Sequence, residues 1–115
     1  MGYRPHIIED RKIEYGDSVY GFNHATDVFI ELLDIFEIDY WQDEFYHDFE
    51  IQNEEIEKLR ELDITKLDLS SIYLSEEDRD LLDLVSMAGN LKDTLLNSLN
   101  TKLSKREGYV RIEWV

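Results

Sequence analysis

The chain has 115 residues, 43% of them hydrophobic, with two Trp, seven Tyr, five Phe and no Cys. That supplies one hydrophobic core but not two, and it excludes a disulfide framework or a thiolate metal site. The 27 acidic residues face only 12 basic ones, for a formal charge of −15, a field that repels phosphate backbones and argues against direct nucleic-acid binding. No apolar run approaches a membrane span, and the first residues lack the charged-then-apolar pattern of a signal peptide. A single acidic domain over residues 1–115, soluble and cytoplasmic, is therefore expected.

In chain order, His6-Ile7-Ile8 is apolar and β-branched, and Lys12-Ile13-Glu14-Tyr15 alternates polar with apolar. Gly16-Asp17 then offers a two-residue turn before Ser18-Val19-Tyr20 resumes the extended pattern, so the sequence predicts an N-terminal hairpin. Asn23 or Thr26 is placed to cap a helix through Val28, Leu32, Ile35 and Phe36, with Asp27, Glu31 and Asp34 on its polar side.

Residues 37–52 admit two periods. Ile38, Trp41, Phe45 and Phe49 follow helical steps, and Asp39 with Gln42 resembles a capping box. Phe45, His47, Phe49 and Ile51 alternate as a strand would. The helix is the expectation. Asn53 is then expected to cap a short helix carrying Ile56, Leu59 and Leu62 or Asp63 on one side. Residues 63–74 lack a clear period yet are too apolar for a free loop, so they should lie irregularly across the core.

The strongest helical signal spans residues 75–108. Leu81, Val85, Ala88, Leu91, Leu95, Leu99 and Leu103 form one stripe. Ser75 stands as N-cap before Glu76, Glu77 and Asp78, while Lys102, Lys105 and Arg106 occupy the last turn, and Gly108 is placed to close it in a left-handed conformation. Gly89-Asn90 marks a place for a bend. Residues 109–115 alternate cleanly as a strand. The expected fold is α+β: a small antiparallel sheet of about three strands, made of the N-terminal hairpin and the C-terminal strand. Three to four helices should pack on one of its faces, the longest near 76–106.

Chemistry is sparse. Glu44 and His47 have the Glu-x-x-His spacing that a helix would turn into a pair of metal ligands, but such sites use it twice, and here it occurs once. A small metal-dependent enzyme using Glu44 and His47 is one alternative; a solvated surface pair is the plainer account. No Gly-x-Ser-x-Gly, phosphate-binding loop, calcium loop or His-Glu-x-x-His occurs, and no cofactor is expected.

The acid is unevenly spread. From Asp27 to Asp83 there are 20 Asp or Glu against four Lys or Arg. Within residues 39–50, five acids interleave with five aromatics, a mixture found in binding patches. Carboxylates along an element also imitate the phosphates of a duplex, which carries about one charge per 1.7 Å of axis. The plain alternative is a solvated helical face. In size and charge the chain resembles the phage anti-restriction and anti-CRISPR inhibitors and the uracil-glycosylase inhibitors. That resemblance implies a non-enzymatic inhibitor docking on a basic, nucleic-acid-binding protein, with no membrane and no direct nucleic-acid contact. The candidate contact residues are Asp39, Asp43, Glu44, Asp48, Glu50, Glu54, Glu55 and Glu57, with Tyr40 and Tyr46 as aromatic anchors. An immunity protein or antitoxin neutralising a basic toxin is the other alternative.

Overall fold

A computed structural model describes residues 3–10, 14–18, 26–44, 47–72, 74 and 83–114. Five antiparallel strands form one sheet: β1 (Pro5–Asp10), β2 (Glu14–Ser18), β3 (Trp41–Gln42), β4 (Asp48–Gln52) and β5 (Tyr109–Trp114), in the spatial order β2-β1-β5-β4-β3. The helices are α1 (Thr26–Ile35), α2 (Asn53–Glu57), α3 (Leu84–Ser98) and α4 (Lys102–Glu107), with 3-10 turns at Lys58–Glu61 and Ile64–Lys66. The fold is α+β.

Period-2 alternation decides which sheet face is covered. Val110, Ile112 and Trp114 of β5 are buried, as are Phe49 and Ile51 of β4 and Ile7 of β1, while Arg111 and Glu113 point the other way. Against the apolar face lie Val28, Phe29, Leu32 and Leu33 of α1 and Met87, Ala88, Leu91 and Leu95 of α3. The Phe29 ring meets Phe49 edge-on at 5.1 Å between centroids and Trp114 at 5.5 Å, the arrangement aromatic quadrupoles favour.

Several expectations are corrected. Gly16-Asp17 is not the hairpin turn but lies inside β2, because β1 runs on to Asp10 and pairs it with Glu14. Residues 37–52 are not a helix: Trp41 pairs with Glu50 and Gln42 with Phe49, so the strand period won. Strand pairing gave Phe49 and Ile51 complete burial against β5, which a surface helix would have spread over two faces. This hairpin raises the strand number from three to five.

Asn53 does not cap α2; the N-cap position is Gln52, with no side-chain bond. Asn53 instead ties α2 to α4, its Nδ2 donating to Ser104 O at 3.0 Å and its Oδ1 accepting from Ser104 Oγ at 2.9 Å.

The long helix is two helices among the described residues. It runs unbroken through Gly89 and stops at Ser98, and α4 begins anew after Thr101. The short polar side chains there offer the backbone other partners: Ser98 Oγ donates to Leu95 O, and Thr101 Oγ1 donates to Ser98 O at 2.9 Å and accepts from Ser104 N at 3.1 Å. Asp83 caps α3, accepting from Ser86 N at 3.2 Å. The proposed Ser75 cap and the acids after it lie outside the described residues. Val85, placed in the stripe by its spacing, is exposed, and Met87 takes the buried position.

Gly108 does close α4 in the left-handed region, at φ 83°. Glu37 takes the same conformation after α1, at φ 59°, with its N–H donating to Asp34 O and the Ile38 N–H to Leu33 O. Those two bonds define a Schellman cap built on a residue with a Cβ.

Two stability outcomes follow. Leu95 is fully buried, so Leu95→Asp should cost at least about 3 kcal/mol and abolish cooperative thermal melting. An added Cβ at Gly89 meets nothing within 4 Å, so Gly89→Ala should raise stability by up to about 1 kcal/mol in urea denaturation.

Candidate functional site

Residues 34–57 hold ten Asp or Glu and no Lys or Arg. They form the β3 side of the sheet, from the end of α1 through the β3–β4 hairpin to α2. Within this edge the structure separates carboxylates used by the fold from those turned to solvent.

Glu55 is used by the fold. Its Oε1 accepts the Asp39 N–H at 2.8 Å and its Oε2 meets Lys58 Nζ at 2.7 Å, so the Asp39 N–H and then Lys58 hold its pKa below the ordinary range. Glu57 pairs with Arg60 at 2.5 Å, on the surface. Asp48 Oδ2 accepts from Arg111 Nη2 at 3.1 Å, and Glu50 lies 4.0 Å from the same guanidinium. The carboxylates of Asp39, Glu44 and Glu54 belong to exposed residues.

The aromatic residues exchange roles. Trp41, whose helical spacing placed it in the core, is 54% exposed. It sits opposite Glu50, on the sheet face away from Phe49 and Ile51. Tyr40, the expected anchor, is half-buried: its ring packs 6.0 Å from Phe49 and its hydroxyl donates to Asp34 at 3.1 Å. Burial, then the bond to Asp34 and its charge, pushes the Tyr40 phenol up to about 12. Tyr46 lies outside the described residues. Reading Phe49 and Ile51 as an inward pair, with Glu50 outward, is the sequence signal that would have placed Trp41 outside.

Glu44 and His47 do not share a helix face, because they lie in the hairpin connection. What converges there is Asp43, His47 and Asp48. His47 Nδ1 stands 3.2 Å from Asp43 Oδ2 and 3.4 Å from Asp48 Oδ1, and these three donor atoms all fall within 4.8 Å. Such a set has the ligand types for a divalent cation, but each carboxylate already has another duty. Asp43 Oδ1 accepts the His47 N–H at 2.9 Å and the Asp48 N–H at 3.1 Å, closing the hairpin loop, and Asp48 is paired with Arg111.

No helix among the described residues is long and apolar enough to cross a membrane. Comparison with family models, with curated proteins and with solved structures returns no match for this chain.

Asp43 gives a pH signature. Burial works to raise its pKa, but the N–H groups of Asp48 and His47 and the His47 ring outweigh this and hold it below the ordinary Asp value. A lowered folded pKa adds stability above the unfolded value, and that stability is lost as pH falls through the folded one. Asp43→Asn, which keeps an acceptor for both N–H groups, should therefore flatten the decline in stability at and below the Asp titration range. Urea midpoints measured from neutral pH into that range check this.

Proposed function

We propose that the protein is a small acidic, non-enzymatic binding protein that docks its β3 edge onto a basic protein surface of the kind nucleic-acid-binding enzymes present. The observation that carries this reading is Trp41. A 54% exposed indole stands in a stretch of ten carboxylates without a Lys or Arg. Exposed Trp is costly to keep in water and is the residue type most enriched at interface hot spots, and the carboxylates around it supply steering towards a cationic partner. Inhibition by nucleic-acid mimicry follows from the same charge: a groove that accepts phosphates accepts an array of carboxylates in their place.

The two kinds of group have separate jobs. Exposed carboxylates act over a distance and govern the association rate, whereas a seated indole governs dissociation. Residues bound into the fold, such as Glu55 and Tyr40, act on stability before they act on a partner.

The test begins with a pull-down from host lysate at low salt, with the captured protein identified by mass spectrometry. Affinity for that protein should fall steeply as the Debye length shrinks below about 10 Å. Reversing Glu44 and Glu54 to Lys should slow association with little change in melting, since exposed charges add little to stability. Trp41→Ala should speed dissociation by about thirtyfold, equivalent to roughly 2 kcal/mol. DNA or RNA should compete for the same partner. Binding that is indifferent to salt, or simultaneous binding of nucleic acid and this protein, would show the mimic reading to be wrong. A captured toxin without nucleic-acid affinity would point to neutralisation instead.

A further inference from the structure

We infer that the basic partner docks by adding an extended segment of its own chain to the outer side of β3, as a sixth strand. This rests on the docking reading above and specifies how the contact is made. β3 ends the sheet on its side, and among the described residues no strand pairs with its outer side.

The hydrogen-bond phase of the hairpin fixes which groups face outward. Asp43 N–H donates to Asp48 O at 3.0 Å, so residues 43 and 48 are a hydrogen-bonded pair, and the pair two residues along is Trp41 with Glu50. Gln42 falls between them. Its backbone N–H and C=O therefore point away from β4, towards the open side. Asp39, two residues before Trp41, has its N–H bonded to Glu55 of α2.

Edges of this kind are ordinarily protected by Lys, Pro or a bulge. Residues 36–44 contain no Lys, Arg or Pro. The opposite edge differs: β2 pairs with β1 through two register irregularities, at His6/Ile8 and at Ile8/Asp10. Bulges bend an edge away from recruiting a neighbour. The β2 edge thus carries two irregularities, whereas β3 is guarded only by its shortness, two residues, and by the acids beside it.

Side-chain parity names the occupant. Asp39, Trp41 and Asp43 alternate along the chain and fall on one face: carboxylate, indole, carboxylate. An added strand has the same two-residue period, so Lys or Arg at every second position would meet the exposed Asp39 carboxylate and cover the indole with a cation or its aliphatic stem, while Asp43, already bonded within the hairpin, adds its charge beside them. The occupant is an extended, alternately basic segment of a protein. Strand addition takes its affinity from backbone hydrogen bonds and its specificity from those alternate side chains.

The probe is a blocked ten-residue peptide of alternating Lys and Thr, with a fully N-methylated peptide of the same sequence as its partner. Trp41 emission is the readout, since Trp114, the other Trp, is 2% exposed and serves as a constant background. The unmodified peptide should bind saturably at low salt, and N-methylation should weaken it at least tenfold. Gln42→Pro removes an outward N–H without removing a bond to β4, so it should keep the melting temperature and weaken the unmodified peptide by a similar factor.

If the methylated and unmodified peptides bind equally well and both lose affinity with salt, strand addition is overturned while acidic docking stands. If neither peptide binds at low salt, strand addition is overturned whatever partner the pull-down returns. Should Gln42→Pro disturb the fold, the pair of peptides on the unaltered protein still decides the question.

Discussion

The structure depends on β5 standing at the centre of its sheet. β1 and β4 do not touch as neighbours; each is hydrogen-bonded to β5, Ile7 opposite Ile112 on one side and Ile51 opposite Val110 on the other. The alternation Val110, Ile112, Trp114 therefore chooses the buried face for three strands at once. Slipping this strand by one residue would bury Arg111 and Glu113 and expose Trp114, so the register is fixed by the cost of burying charge. Everything at the β3 edge hangs from that register, because β4 carries the hairpin that presents Trp41.

The parts of this arrangement that were legible are those where one local pattern had no rival. The strand 109–114 alternates without exception, and Gly108 can take the left-handed φ that ends a helix. The apolar repeat Ala88, Leu91, Leu95 reads as a buried helix and is one. Where two periods overlapped, the choice was made by residues distant in sequence. Phe49 satisfies both a helical and a strand pattern, and β5 decides between them by pairing with β4. The same long-range pairing turned Trp41 outward and drew Tyr40 half inward, so the exposed indole could be placed only once Phe49 and Ile51 were read as the inward pair. The break after Ser98 was masked because Leu99 and Leu103 continue the stripe across it; hydroxyl capping by Thr101, invisible to an apolar count, ends one helix and starts the next.

The acidic excess was legible as a quantity but not as a distribution of duties. Asp63, Asp68 and Asp83 each accept a backbone N–H and the adjoining hydroxyl, of Thr65, Ser70 and Ser86 respectively. These bonds hold all three below the ordinary Asp range. Asp43 and Glu55 do similar work at the hairpin and at α2. Part of the charge is thus structural: these five carboxylates each accept a backbone N–H that would otherwise lack a partner. Asp39, Glu44 and Glu54 at the β3 edge are among the exposed acids that the surroundings feel.

The pairing of Ile7 with Ile112 also sets an order of events in time. Local pieces, such as the β3–β4 hairpin and α3, close small loops and can form early, whereas β1 gains its inner neighbour only after nearly the whole chain has been gathered. Until then the flanks of β1 and β4 that β5 will occupy are bare, and both are apolar on one face. This is the interval in which sheet proteins stick to one another. Mutual repulsion between chains that each carry fifteen excess negative charges lengthens the odds against such encounters. The charge thereby guards the nascent sheet before any partner is met.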